Sequence, residues 1–212
     1  MKRPRVLLAD DHRMVAEGLR GLLESEFELV GIVEDGRALL TTAENLRPDV
    51  IVVDISMPLL NGIEAVRQIK KTDKNTRVVF LTMHPDVTYA ASAFEAGASG
   101  YVLKHSAPSE LVAAIQSVLK GKTYITPLLK GELKHFHKER TGKQDELTRL
   151  TPRQREVLQL LAEGNLAKEI AVILNVSVRT VEFHKYRMMR DLGLKTTADL
   201  VKFAVKHGVT TQ

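Results

Sequence analysis

The sequence predicts an α/β chain in two parts: a doubly wound, five-stranded parallel sheet, then a small all-α domain of four helices. Three observations carry this. Up to Thr126, five short β-branched apolar runs alternate with segments of helical period. From Thr151 the chain is helical in pattern, with no strand-like run. The charge also divides: residues 1–126 hold 15 Lys+Arg and 16 Asp+Glu (−1), whereas residues 127–212 hold 16 and 10 (+6).

The apolar runs are Val6–Ala9, Leu29–Val33, Val50–Asp54, Val78–Thr82 and Gly100–Leu103. Continuous rather than alternating apolar character means burial on both faces, as in a parallel sheet covered by helices. The helical segments between them carry Val15-Leu19-Leu22-Leu23, Ala38–Leu46, Ile63-Val66-Ile69, Tyr89–Ala96 and Leu111-Ile115-Leu119. Five such βα units make a fold of flavodoxin-like type. Residues 128–149 are highly charged and broken by Gly131 and Gly142, which reads as a partly helical linker. The expected division is 1–126, a linker at 127–147, and 148–212.

In the second part, Thr151-Pro152 reads as an N-cap with proline at the first helical position. That helix carries Val157, Leu158, Leu160 and Leu161 and stops at Gly164-Asn165. A short helix, Leu166–Leu174, stops at Asn175; Ser177 caps a third, Val178–Leu192, which Gly193 ends. A fourth runs from about Thr197 to Lys206.

A chain of 212 residues, 44% hydrophobic, can fill two modest cores. With no cysteine, disulfides and thiolate metal sites are excluded. The basic start, Met1-Lys-Arg-Pro-Arg, is followed by an apolar run too short for a signal segment, and no stretch approaches the ~20 apolar residues of a membrane span. A cytoplasmic protein with no membrane partner is expected.

In a doubly wound sheet the C-terminal strand ends share one edge, where ligands bind. Asp10 and Asp11 follow the first strand and Asp54 ends the third. Acidic residues commonly end strands, so neither of the first two would signify alone. Three carboxylates together repel unless a cation joins them, and oxygen donors favour a hard ion such as Mg²⁺. Thr82 ends the fourth strand and Lys104 follows the fifth. A hydroxyl and an ammonium beside a metal and a carboxylate suit a phosphoryl group. Pro58 and Gly62 read as turn residues of the loop after Asp54.

Asp10-Asp11, Asp54 in Asp-Ile-Ser-Met-Pro-Leu-Leu-Asn-Gly, Leu81-Thr82 and Tyr101-Val-Leu-Lys104 together make residues 1–126 resemble the receiver domain of two-component response regulators. The resemblance implies phosphorylation of Asp54 by the phosphohistidine of a sensor histidine kinase. It implies Mg²⁺ held by Asp11, Asp54 and the Ser56 backbone carbonyl, with Asp10 acting mainly through a metal-bound water. Lys104 would pair with the phosphoryl oxygens, Thr82 would move towards them, and Tyr101 would turn inward behind. His105 stands where many relatives carry an acidic residue, and reads as an exposed loop histidine.

Short helix, tight turn at Asn175-Val-Ser177, longer helix is helix-turn-helix geometry. At about 100° per residue, Val181, Met188 and Leu192 form one stripe of the third helix. Arg179, Glu182, Phe183, Tyr186, Arg187 and Arg190 fall opposite. A charged surface helix would explain part of this, but three arginines with two aromatics also suit a major groove. Leu150-Thr-Pro-Arg-Gln-Arg-Glu-Val-Leu158, Gly164-Asn-Leu-Ala-Lys-Glu-Ile-Ala171 and Ser177-Val-Arg-Thr-Val-Glu-Phe-His184 resemble the LuxR-type helix-turn-helix.

With the first half, the whole chain is similar to the NarL/FixJ family of response regulators. That resemblance implies backbone contacts for Thr180 and His184 and base-reading positions for Glu182, Phe183 and Tyr186; Lys168 and Lys185 read as phosphate contacts or, each taken singly, as rim lysines. Many relatives are basic where Glu182 or Tyr186 stands, so their operator sequences do not transfer. The implied partners are double-stranded DNA, a second copy of the chain as a homodimer, and RNA polymerase as a further candidate. A hydrolase on the same fold would need a substrate-binding insertion, and the βα loops are all short. A phosphorylation-independent DNA binder with a vestigial receiver would not need the full set of Asp10, Asp11, Asp54, Thr82 and Lys104. The chain is expected to be a regulator rather than an enzyme acting on outside substrates, beyond its own phosphotransfer and dephosphorylation.

Overall fold

The structure is a computed structural model that describes residues 3–106, 108–132 and 146–210. The chain divides into two compact units, Met1–Thr141 and Gly142–Gln212.

The first unit runs β1 (Arg5–Ala9), α1 (Arg13–Glu26), β2 (Glu28–Val33), α2 (Gly36–Leu46), β3 (Val50–Val53), α3 (Gly62–Thr72), β4 (Arg77–Thr82), α4 (Val87–Glu95), β5 (Gly100–Leu103), α5 (Pro108–Leu119) and β6 (Tyr124–Ile125). All strands pair in parallel in the order β2-β1-β3-β4-β5-β6. The expected five strands are present, and the count of five is corrected to six. Two residues, Tyr124 and Ile125, extend the edge opposite Gly100 and Tyr101. A two-residue strand has too short a pattern to register in sequence periodicity.

Successive strand residues point to opposite faces. Leu7, Ala9, Ile51, Val53, Phe80, Tyr101 and Leu103 pack with residues of α2, α3 and α4 such as Leu39, Val66 and Ala90. Val6, Leu8, Val50, Val52, Val79, Leu81 and Val102 pack with Leu23 of α1 and Ile115 of α5. The central strands β3 and β5 are fully buried and β1 and β4 nearly so, which is why they read as unbroken apolar runs, whereas edge strand β2 is only half-buried.

The loop from β3 to α3 is held by two glycines that approach other backbone closely. A Cβ on Gly62 would lie 1.9 Å from the Asp54 carbonyl oxygen, and one on Gly36 would lie 1.9 Å from that of Leu60. Gly62 is therefore required by packing, not by turn conformation. Between them Leu59 takes φ 66° in a turn closed by the Leu60 amide donating to the Pro58 carbonyl at 2.7 Å. A bulky side chain in the left-handed region is a strained choice.

Of the expected linker at 127–147, residues 127–132 are helical and Leu129 is buried in the core of the first unit. Residues 133–145 lie outside the described residues.

The second unit has a 3₁₀ turn (Glu146–Arg149), then α6 (Pro152–Ala162), α7 (Ala167–Ile173), α8 (Val178–Leu192) and α9 (Thr197–Lys206). Thr151 and Gln154 form a reciprocal cap, the Thr151 amide donating to Gln154 Oε1 at 2.8 Å. Ser177 caps α8 by accepting the Thr180 amide at 3.1 Å, and Gly193 ends it in the left-handed conformation. Val157, Leu158, Leu160, Ile170, Val181, Met188, Leu200 and Ala204 are buried in the centre.

Candidate phosphoacceptor site and nucleic-acid interface

The strand order puts β1 beside β3, and β3 beside β4 and then β5, so their C-terminal ends converge. Asp10 and Asp54 are almost fully buried there. The Asp54 amide donates to the Ala9 carbonyl at 2.9 Å, which fixes the Asp54 backbone beside the end of β1. Asp54 Oδ1 accepts the Ile55 amide at 2.6 Å. Lys104 sends its ammonium to Asp54 Oδ2 at 2.6 Å and to Asp10 Oδ2 at 2.8 Å. Its own amide donates to the Thr82 carbonyl at 2.8 Å, tying the β5 end to the β4 end.

Burial pushes the Asp54 carboxyl above its usual range, against the pull of the Lys104 charge and hydrogen bond. Burial acts on the Lys104 ammonium in the opposite sense, but the two carboxylates outweigh it and hold it above its ordinary value. Asp11 is more open, with its Oδ1 2.8 Å from His12 Nδ1.

Asp10, Asp11, His12 and Asp54 each offer a ligand atom within 4.8 Å of the others. Three carboxylates faced by one ammonium leave an excess of negative charge. Hard oxygen donors with that excess fit a divalent cation of the Mg²⁺ type. The first unit thus carries an acidic pocket suited to such an ion.

Thr82 is fully buried, and its hydroxyl accepts the His84 amide at 3.3 Å. Tyr101 is also fully buried, with its ring near Phe80 and its hydroxyl donating to the His84 carbonyl at 2.8 Å. Burial raises the Tyr101 phenol well above its usual value, so it stays a donor. Thr82 and Tyr101 thus meet at the backbone of one residue.

That residue, His84, escapes sequence reasoning. Its Nε2 lies 2.9 Å from Ser56 Oγ, and its ring stacks on Tyr89 with centroids 4.3 Å apart. Burial lowers its imidazole pKa, so the neutral ring is favoured at neutral pH. The only available signal was its place two residues after Thr82. His105 is exposed, as read from the sequence.

In the second unit, α7, a turn with Asn175 at φ 50°, and α8 form the helix-turn-helix. Arg153 of α6 donates to the Leu174 carbonyl at 2.7 Å and pairs with Glu156 at 2.6 Å, which anchors the end of α7. Val181 and Met188 are fully buried and Leu192 is half-buried, giving the inward stripe.

Opposite them, Arg179, Phe183, Tyr186, Arg187 and Arg190 are exposed, with Phe183 at 57% and Tyr186 at 62%. Glu182 is half-buried and pairs with Lys185 at 2.5 Å, and the Lys185 ammonium lies 4.9 Å over the Tyr186 ring. Thr180 and His184 are half-buried; Thr180 Oγ1 lies 2.9 Å from Ser177 Oγ and His184 meets Phe183 edge-on. Lys168 is exposed on α7. Lys185, expected as a phosphate contact or a rim lysine, has a side chain 15% exposed and paired with Glu182. Among the described residues, no helix is long and apolar enough to cross a membrane.

The family model described as the response regulator receiver domain matches residues 6–116. The one described as bacterial regulatory proteins, luxR family, matches residues 148–204. The chain is 35% identical over 210 residues to the transcriptional regulatory protein MctR of Rhizobium johnstonii, covering 98% of this chain and 96% of MctR. It is similar to RcsB of Salmonella enterica serovar Typhimurium bound to promoter P1flhDC in the presence of the phosphomimetic BeF3−. That match has a TM-score of 0.60, 31% identity, and 95% and 98% of the two chains covered. A structure of two RcsB dimers bound to two parallel DNAs matches with a TM-score of 0.59 and 31% identity, over 95% and 98% of the chains. Two matched domains in this order, and full-length relatives above 30% identity, show that the chain belongs to the two-component response regulators that join a receiver domain to a LuxR-type DNA-binding domain.

Proposed function

We propose that Asp54 is the phosphoacceptor and that its phosphorylation controls sequence-specific binding of double-stranded DNA through α8. The observation that carries this is the reach of one ammonium, Lys104, to both Asp54 and Asp10 at the converging strand ends, with Thr82 on the neighbouring end. An Asp54 carboxylate oxygen attacks the phosphorus of a sensor kinase's phosphohistidine. The phosphorus–nitrogen bond breaks, and its electron pair returns to the imidazole, which takes up a proton. Lys104 leaves the Asp54 oxygen to pair with phosphoryl oxygens, and the Thr82 hydroxyl donates to another. Asp11, Asp54 and the Ser56 carbonyl would hold Mg²⁺, with Asp10 acting through a bound water; the ion offsets phosphoryl charge when present.

A phosphoryl group adds roughly −1.5 to −2 charge and strong acceptor oxygens. It favours the arrangement that brings Thr82 and Lys104 closest to it. Tyr101, joined with Thr82 at His84, is placed to follow that change. On DNA, Arg179, Arg187, Arg190, Lys168, Thr180 and His184 contact the backbone, and Glu182, Phe183 and Tyr186 face base edges. Lys185 keeps its pairing with Glu182 at the edge of that face. A homodimer on two-fold DNA sites suits this architecture, and RcsB is seen as dimers bound to DNA. The site of action is the cytoplasm, and RNA polymerase is a candidate partner.

The test uses the full chain with acetyl phosphate and Mg²⁺. Wild type is expected to take up acid-stable, base-labile phosphate and Asp54→Asn none; equal incorporation overturns the site. Arg179→Ala and Arg190→Ala are expected to weaken DNA binding and flatten its salt dependence. DNA affinity that ignores phosphorylation would instead favour a regulator with a vestigial receiver.

A further inference from the structure

The outer face of α8 is less charged at its centre than its composition suggests. Glu182 and Lys185 neutralise one another, and Lys185 folds over the edge of the face onto the Tyr186 ring. Further along, Arg187 and Arg190 both approach Asp191, at 3.6 and 3.1 Å. At about 100° per residue, Arg179, Phe183, Tyr186 and Arg190 share the outermost stripe. That stripe reads cation, two aromatics, cation. Its ends are about 16 Å apart, from a rise of about 1.5 Å per residue.

Two neighbouring aromatics more than half exposed form an apolar patch on the outer face of a helix whose opposite stripe, Val181 and Met188, is fully buried. Arginines at both ends of the stripe match the phosphate strands that flank a major groove. Base edges in that groove offer one apolar group, the C5 methyl of thymine. Phe183 has no hydrogen-bonding atom, so a methyl is what it can recognise there.

We infer that Phe183, flanked by Tyr186, directs this chain to duplexes that present thymine methyl groups under the middle of α8. This rests on the reading of α8 as the groove-binding helix and adds the class of sequence it selects. The Tyr186 ring, held by Lys185 on one side, walls the methyl from water, while the Glu182–Lys185 pair leaves no uncompensated charge beside it.

The experiment selects duplexes from a random library with full-length, phosphodonor-treated protein. Each thymine of the selected sequence is then replaced singly by deoxyuridine, which removes the methyl and keeps every hydrogen-bonding group. At one or two thymines per half-site, deoxyuridine is expected to weaken wild-type binding about fourfold, the worth of one buried methyl. Phe183→Ala is expected to bind the thymine and deoxyuridine duplexes equally while keeping the wild-type salt slope. Phe183→Leu is expected to keep part of the difference. Phe183 is exposed, so neither variant disturbs the core.

Selected duplexes that bind equally well with deoxyuridine at every position overturn the inference and leave the DNA-binding reading intact. So does an unchanged thymine preference in Phe183→Ala. Wild-type affinity in Phe183→Ala would assign the aromatic patch to another macromolecule and also overturns it. A library from which nothing is enriched overturns the DNA-binding reading itself.

Discussion

Lys104 bridges Asp54 and Asp10, its ammonium 2.6 Å from one carboxylate and 2.8 Å from the other. One cation between two buried anions leaves the pair under-compensated, and burial raises the Asp54 carboxyl above its ordinary pKa. A carboxyl raised on folding contributes stability that is present below its unfolded value and lost as pH rises through its folded value. In chelator, the stability of wild type is therefore expected to fall relative to Asp54→Asn from about pH 4 upward. Urea denaturation of both proteins from pH 3.5 to 7.5 measures the difference. Equal stability across that range would mean that Lys104 fully compensates Asp54. Adding Mg²⁺ at neutral pH is expected to stabilise wild type more than the variant, by about 2.7 kcal/mol at a hundredfold excess over the dissociation constant.

Gly62 and Gly18 make a second contrast. Both begin as glycines in or beside helices, but their surroundings differ. A Cβ at Gly62 would collide with the Asp54 carbonyl oxygen, whereas one at Gly18 on α1 would meet nothing within 4 Å. Gly62→Ala can be relieved only by shifting the backbone that carries Asp54. It is expected to cost about 3 kcal/mol or more, the upper end of overpacking, and to lower phosphate incorporation. Gly18→Ala is expected to gain about 0.5–1 kcal/mol by helix propensity and leave incorporation unchanged. Denaturation midpoints with phosphate incorporation read both effects, and similar behaviour of the two variants would refute the packing account.

These glycines mark where sequence reading stops. Asp10, Asp54, Thr82 and Lys104 were legible because a doubly wound sheet delivers its strand ends to one edge whatever the side chains do. The α8 stripe of Val181 and Met188 was legible because helical period alone sorts faces. The role of Gly36 depends on the later approach of Leu60, and the Ser56–His84 contact on two loops meeting across the sheet edge. Neither leaves a local pattern. The pairing of Lys185 with Glu182 was accessible in principle, since they stand three residues apart on one helix, but a competing phosphate contact was equally consistent with the spacing.

Thr126 directly follows the unforeseen strand β6. It is buried, its amide donates to the Tyr101 carbonyl at 3.0 Å, and its hydroxyl accepts the Leu103 amide at 3.3 Å. The same hydroxyl donates to Glu110 Oε1 at 2.7 Å. One side chain thus ties the strand that carries Tyr101 and precedes Lys104 to helix α5. Thr126→Val keeps the shape and removes both hydroxyl bonds, stranding the buried Leu103 amide, while the half-buried Glu110 keeps its hydrogen bond with Tyr124. Stranding buried polar groups costs about 1–3 kcal/mol. Thr126→Ser restores both bonds at the loss of one methyl and is expected to recover most of that. The ordering wild type, then Ser, then Val in urea stability is the expected result. A Val variant as stable as wild type would mean that water replaces the hydroxyl at both partners, and that β6 is held by its backbone pairing to β5 alone.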